Sequence, residues 1–525
     1  MANNLRIKAY SSGSTEVQSA GLELGEQLTF SSGYPGGLYL DCGFFVPRDI
    51  TSTWPVQLGQ RVKVQNGFVT VWEGYITGIE NRATTDGQGA QVTAMGAWGY
   101  YLMRRKWRKW WADTRSGEEA WKWTPTIPDE TFLNIDRTTP RITLVPKSIR
   151  NAAGAEVGWT NNQTLGIVYT SPTGETVKRI TLDYDLQEGA QAWKGNVYNV
   201  TGAADLLSRT TSNATPGTRV SWDSGTIATP TQKLYIQLIS QAGQTPPTDG
   251  TVYWDVANIV VYSETGAING QEVAKDVRAH VVEFSADDTN IGALTYALVP
   301  FISNTDTLAD ILTNAANYGD ASFNRWAAYC KSSDDSTDDK PLLALEQVPA
   351  LTDYDYAVRM DEVNTADLAF MQDVTEVRNW ITIEYTDATN NQIIVTPDDD
   401  ANLKDTASIA LYGEAHEWLS LQTTSLTNAT NYARRFLAAR KDPQWKASGN
   451  IPIVGSVRAK DGTPVPASQI VSGKRIKIEN YLNDLSGNGL TFLITGTSYD
   501  DASEVCTLSV GQPDNMDILL ARIIS

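Results

Sequence analysis

The sequence predicts a mainly β, multidomain chain: two related small β-barrels, an inserted β-sandwich of jelly-roll type, and a small α/β domain. Three observations carry this. The 525 residues include 40 Gly, 21 Pro, 16 Trp and 22 Tyr, a mixture that favours turns and aromatic strands over long helices. A strand–turn–strand pattern near the N-terminus recurs near the C-terminus. Between them lies a stretch of short strands separated by turn residues. At roughly 100–200 residues per domain, three to five domains are expected. The chain divides into a first barrel (1–104), a Trp/basic linker (105–123), the sandwich (124–265), an acidic α/β domain (266–405), and a helix with the second barrel (406–525).

The repeat is the most informative pattern. Gly59–Asn66 reads GQRVKVQN and Gly473–Asn480 reads GKRIKIEN, both alternating with the period of a strand buried on one face. Each runs through a turn into a second strand, Val69–Ile79 or Leu490–Tyr499, and then a third, Ala90–Trp98 or Glu504–Gln512. From the first Gly to the Gly of the second strand is 19 residues in one copy and 23 in the other; the longer turn Asn483–Gly489 absorbs the difference. A short meander closing on itself removes its edges, hence a small barrel.

In the middle, Lys178–Leu186, Lys233–Ser240 and Thr251–Tyr262 alternate with Thr/Gly/Pro/Asn loops, the texture of a sandwich inserted in a surface loop. Three helices are predicted. Thr307–Asn317 has Thr307 and Asp310 as a capping box and stops at Gly319. A second follows Asn364, with Leu368, Met371, Val374 and Val377 along one side. The third, Thr427–Lys441, gathers Ala429, Tyr432, Ala433, Phe436 and Leu437 on one face and stops at Pro443. Strands Trp380–Tyr385 and Gln392–Pro397 complete the α/β domain.

The net charge is −19, and it is concentrated: Glu283–Asp405 holds 24 carboxylates against six cations. Such a block either faces solvent or faces something that must not adhere to it. The opposite pole is RRKWRKWW (Arg104–Trp111), which suits a membrane or nucleic-acid contact, or a linker with packed tryptophans. No run of about 18 apolar residues is present, so no membrane-spanning helix is expected. The start, MANNLRIKAY, lacks the apolar core of a secretory signal. Cys42, Cys330 and Cys506 are too dispersed for a disulfide framework or a CxxC knuckle, and are expected as small buried hydrophobes. With only His280 and His416, a three-His zinc site is excluded, and HEWLS (His416–Ser420) lacks the second His of a zincin. Neither a nucleophile elbow nor a phosphate-binding glycine loop occurs. Asp334, Asp335, Asp338 and Asp339 lack the Gly and terminal Glu of a calcium loop; Asp398–Asp400 reads as a solvated turn.

Pro35–Glu80 resembles the opening barrel of phage tail-tip and baseplate hub proteins. So does the C-terminal stretch, from Ala447–Val457 through Gly462–Asn480 and Leu490–Asp500 to the LARI close at Leu520–Ile523. The resemblance covers residues 20–104 and 280–525. It implies a non-enzymatic structural protein of the virion tail tip. In that family, two barrels per chain in a homotrimer make a pseudo-hexameric ring between the tail tube and the tip. The implied partners are tail-tube and distal tail proteins, the tape-measure protein, tip or fibre proteins, and DNA in transit; no cofactor is implied. On this reading the acidic block would line or rim the channel.

The inserted sandwich resembles the carbohydrate-binding jelly rolls of such tails. Its candidate stacking residues for a host glycan are Trp193, Trp222 and Trp254, each also a natural core residue, with Asp255 as a candidate calcium or sugar-hydroxyl ligand. Two alternatives to the hub therefore stand: a carbohydrate-binding recognition protein, and a modular glycoside hydrolase, for which no motif speaks.

Overall fold

The computed structural model describes residues 5–10, 16–20, 28–47, 57–84, 87–113, 121–123, 133–136, 141–144, 149–150, 156–157, 162, 164–171, 175–187, 193–241, 252–264, 268–296, 301–320, 324–359, 370–386, 391–423, 426–443, 445–447, 449–480 and 490–511. Residues 364–369 of the expected second helix, the Asn483–Gly489 turn, Gln512 and the LARI close lie outside these. The chain is mainly β and forms two compact units. One comprises Met1–Trp107, Asn269–Tyr296 and Thr305–Ser525; the other Arg108–Ile268 and Ala297–Asn304.

The first unit begins with β1 (Leu5–Tyr10), β2 (Glu16–Ala20), β3 (Thr29–Gly33), β4 (Asp41–Pro47), β5 (Arg61–Asn66), β6 (Val69–Thr84) and β7 (Gly87–Met95). Their order is β2-β1-β5-β6-β7-β4-β3. Alternation directs Ile7, Val62, Val64, Trp72, Ile76, Val92 and Phe44 into one core. A π-helical turn, Trp98–Leu102, follows.

The second unit is the sandwich. One sheet runs β8 (Trp121–Trp123), β11 (Thr164–Thr170), β16 (Lys233–Ser240), β13 (Trp193–Asn199) and β14 (Ala204–Arg209). The other runs β9 (Leu133–Asp136), β10 (Arg141–Leu144), β17 (Tyr253–Tyr262), β12 (Arg179–Gln187) and β15 (Val220–Asp223). Both pair antiparallel, and Leu165, Ile167, Leu234 and Ile236 of one meet Ile180, Leu182, Val256 and Val261 of the other in one core.

The chain then returns to the first unit. Helix α1 (Gly270–His280) packs on α2 (Leu308–Asn317), with Gly270 so near Leu294 and the Ala315 carbonyl that a Cβ would not fit. The capping box of Thr307 and Asp310 forms as expected, and Gly319 takes a positive φ of 58°. The hairpin β18 (Trp326–Lys331) and β19 (Leu342–Gln347) leads to β20 (Tyr356–Arg359). Strands β21 (Trp380–Thr386), β22 (Gln392–Val395) and β23 (His416–Thr423) form a separate sheet, and α3 (Thr406–Tyr412) lies in the connection between the last two. Helix α4 (Leu426–Arg440) covers the sheet through Ala429, Tyr432, Ala433 and Leu437. The second expected helix is not seen in its described part. Met371 pairs in a short strand with Lys446, and Val374–Glu376 is a single 3₁₀ turn capped by Asp373. Local pairing and a fresh cap override the apparent helical spacing.

The last strands are β24 (Ile451–Val454), β25 (Ser456–Ala459), β26 (Pro464–Pro466), β27 (Arg475–Glu479), β28 (Leu490–Asp500) and β29 (Val505–Gly511). They do not build a detached second barrel. β3 pairs with β28, so both ends of the chain share one 14-stranded sheet. Within it the C-terminal strands close: β29 pairs β24, which bends at Gly455 (φ 79°) into β25, and β25 returns through β20 and β27 to β28. The N-terminal strands remain a half-barrel among the described residues.

Candidate assembly site: a duplicated strand unit and its acidic strap

The two ends adopt the same construction. In spatial order, β4-β7-β6-β5-β1 corresponds to β24-β29-β28-β27-β20. Gly59 (φ 77°) and Gly473 (φ 80°) start the first hairpin strand in the left-handed region. Each donates its N–H to an isoleucine carbonyl, Ile76 or Ile494, at 2.8 Å. Those isoleucines donate back to Gln60 and Lys474, at 2.9 and 2.8 Å. Each isoleucine then opens a one-residue bulge, at Thr77 before Gly78 and at Thr495 before Gly496. A shared ITG triplet thus fixes a shared kink.

The cationic residues of the repeat are likewise used alike. Arg61 holds Asp339 at 2.5 Å, and Arg475 holds Asp355 at 3.0 Å. Lys63 lies over the Tyr10 ring at 5.3 Å, and Lys477 over Tyr354 at 5.3 Å. Both acidic partners come from the stretch 332–355, which acts as a strap across the two copies. At the first copy the strap is deeply engaged. Lys63, 2% exposed, reaches Asp334 at 2.6 Å, while Glu73 accepts from the Ser332 hydroxyl at 2.9 Å and the Ser333 N–H at 2.8 Å. Burial opposes the charge on Lys63, but Glu73, Asp334 and Asp339 together outweigh it and hold the ammonium above its ordinary pKa. Burial likewise pushes Asp334 and Asp339 up, and the Lys63 and Arg61 contacts reverse this, leaving both below the usual carboxylate range.

Several carboxylates of the acidic block are thus paired within the chain, while Asp334, Asp339 and Asp353 stay more than a third exposed. Its carboxylates find cations distant in sequence: Glu283 with Arg105, Asp353 with Lys460 at 2.8 Å, Asp400 with Arg434 at 2.7 Å, Asp405 with Lys441 at 2.9 Å. Asp399 closes a turn on Thr396. Among the described residues, no three His, Cys, Asp or Glu side chains are grouped to hold a metal ion. All three cysteines are buried; burial pushes the Cys506 thiol up to about 12.

The basic run is divided between the units. Arg105 binds Glu283 and Trp107 stacks on His280 at 4.2 Å in the first; in the second, Trp110 and Trp111 are buried and Lys109 reaches Glu264 at 3.3 Å. Its indoles are packing elements, not an exposed aromatic surface.

The sandwich tryptophans are not brought together as a sugar site. Trp193 and Trp254 are wholly buried in the core, and Trp222 packs half-buried against its margin. A ring enclosed on both faces cannot stack on a sugar, so Trp193 and Trp254 are excluded as platforms. Asp255 is buried and held by Arg219 at 2.9 Å, and among the described residues no carboxylate cluster forms around it. Sequence reading missed the roles of Glu73, within the repeat, and of Tyr10 and Tyr354, outside it; cross-strand register places Glu73 and Tyr10 opposite Lys63 and Arg61, and Tyr354 reaches Lys477 from a loop.

In the first unit a cleft of about 540 Å³ lies beside the second copy, lined by Tyr34, Tyr329, Lys331, Glu346, Ser472 and Arg475 among others. Two of its cations pair with carboxylates of the same lining, Lys331 with Glu346 and Arg475 with Asp355.

No model of a known protein family matches the chain, and no curated protein matches it in sequence. Solved structures similar to it include tail proteins. They include the tail protein from Neisseria meningitidis MC58 (10% identity, TM-score 0.43, 99% of each chain covered). Another is the prophage MuSo2 43 kDa tail protein from Shewanella oneidensis (9%, 0.39, covering 98% of this chain and 99% of that one). A third is the prophage tail protein gp18 from Listeria monocytogenes EGD-e (9%, 0.35, 99% of each).

Proposed function

We propose that this chain is a non-enzymatic structural protein of a phage tail, a trimeric hub at its distal end. One observation supports the reading: a single polypeptide carries the same strand unit twice, with the same glycine, the same bulge and the same use of Arg and Lys. Three such chains around an axis present six similar units, which lets a threefold tip meet a sixfold tube. The partners on this reading are tail-tube and distal tail proteins, tip or fibre proteins, and the tape-measure protein and DNA that pass through the ring.

Light scattering of the purified chain tests the assembly. A species near three times 57.5 kDa is expected. A monomer at every concentration, unchanged when tail tubes are added, would overturn the reading.

A further inference from the structure

The sandwich face turned away from its core has the features that its tryptophans lack. Across β11, β16, β13 and β14 the register sets Gly166, Gln237, Asn196 and Ser208 in one row, and Val168, Tyr235, Tyr198 and Asp205 in the next. Tyr198 and Tyr235 stack at 6.3 Å with 22° between planes, and both stay half-exposed. A bulge opposite Val197–Tyr198 turns Asp205 onto this face, where it accepts from Asn196 at 2.7 Å and pairs with Lys194. Gly166 keeps the row low, since a Cβ there would strike the Gln237 side chain at 2.6 Å. Asn196 forms the floor: it is 1% exposed, and its side-chain oxygen has no hydrogen-bond partner.

We infer that this face is a binding platform for a neutral saccharide. The paired tyrosines offer flat apolar surface to the C–H face of a sugar ring. Lys194 and Asp205 cancel each other beside Asn196, and the exposed Lys233 lies at the rim of the face, two residues from Tyr235. A buried acceptor without a donor selects a ligand that brings one, and a sugar hydroxyl does so. An apolar protein surface would leave the Asn196 oxygen unsatisfied. Lys194, which shares Asp205 with Asn196, is the side chain that must yield as the hydroxyl approaches.

The test uses the full chain, with cellohexaose, maltohexaose and mannohexaose as probes in titration calorimetry, after screening on an array of neutral and acidic glycans. Binding of at least one neutral probe is expected. Tyr198→Ala and Tyr235→Ala should each weaken it by roughly tenfold, while Tyr235→Phe preserves it. Ser208→Trp, at an exposed position in the row, should block binding without touching the core, and Trp222→Ala should leave it unchanged. No retention of any neutral glycan overturns the inference. So does binding that survives both Ser208→Trp and the double tyrosine variant with the fold intact by thermal unfolding.

Discussion

The two copies of the strand unit obey one local code in two settings. In the first, the hairpin pairs antiparallel with β1; in the second, parallel with β20. The first packs the indole of Trp72 across from Val64, where the second has Leu490 across from Ile478. Lys63 is almost wholly enclosed, whereas the Lys477 side chain is 24% exposed and pairs with Glu479 of its own strand at 3.5 Å. The shared glycine, ITG triplet and Arg thus specify the hairpin and its bulge; how the sheet continues is decided by whichever strand arrives at the flank. On the proposed trimeric ring, the constant element would make the equivalent contacts and the variable flank would meet the two different neighbours of each unit.

Substitutions in the two cores should give the largest separation. Trp72→Ala is expected to cost about 3–5 kcal/mol and Leu490→Ala about 2–3 kcal/mol, read from denaturant unfolding of the two variants. Equal losses would mean that the copies are packed alike despite the difference in side chains.

The strap comes next. Asp339→Ala leaves Arg61 with Glu73 at 3.8 Å and the backbone carbonyl of residue 339, and should cost about 1–2 kcal/mol, discounted because the lost carboxylate is more than a third exposed; Asp355→Ala should cost less. The pH dependence has a definite sign. Asp334 and Asp339 have folded pKa values below their unfolded ones, so their contribution is present above about pH 4 and is lost on acidification through the lower, folded values. Thermal unfolding scans from neutral pH down to about 2 should show this loss, and should show less of it in an Asp334→Asn/Asp339→Asn double variant.

The glycines should give effects of the same size as the strap. Both occupy the left-handed region, so alanine costs about 1–2 kcal/mol at each. Gly473→Ala should be the worse, since its Cβ would meet the Tyr34 ring at 2.8 Å, whereas at Gly59 the nearest atom is the Tyr100 hydroxyl at 3.1 Å. A reversed order in melting temperature would show that the Tyr34 ring moves aside freely.

Much of this was legible in the sequence, because hairpins and capped helices are local. GQRVKVQN and GKRIKIEN announced their strands through period-two alternation, and Thr307 with Asp310 announced α2 through the capping box. What depends on distant pairing was not. Nothing near Thr29–Gly33 says that this strand joins β28 and merges two expected barrels into one sheet. Local charge counting marked residues 283–405 as acidic but could not show that Asp339, Asp334, Asp353 and Asp355 have partners far along the chain at Arg61, Lys63, Lys460 and Arg475. The tryptophans misled for a related reason: composition marks a large ring but not the face of the sheet it takes, and the half-exposed rings of the sandwich's outer row are tyrosines.

Electron cryomicroscopy of the assembled chain tests the central claim most directly. In a ring of three chains, residues 59–95 and 473–511 should lie at one radius and alternate every sixth of a turn. An assembly that sets these two segments at different radii, or packs one of them against no neighbouring chain, would contradict it.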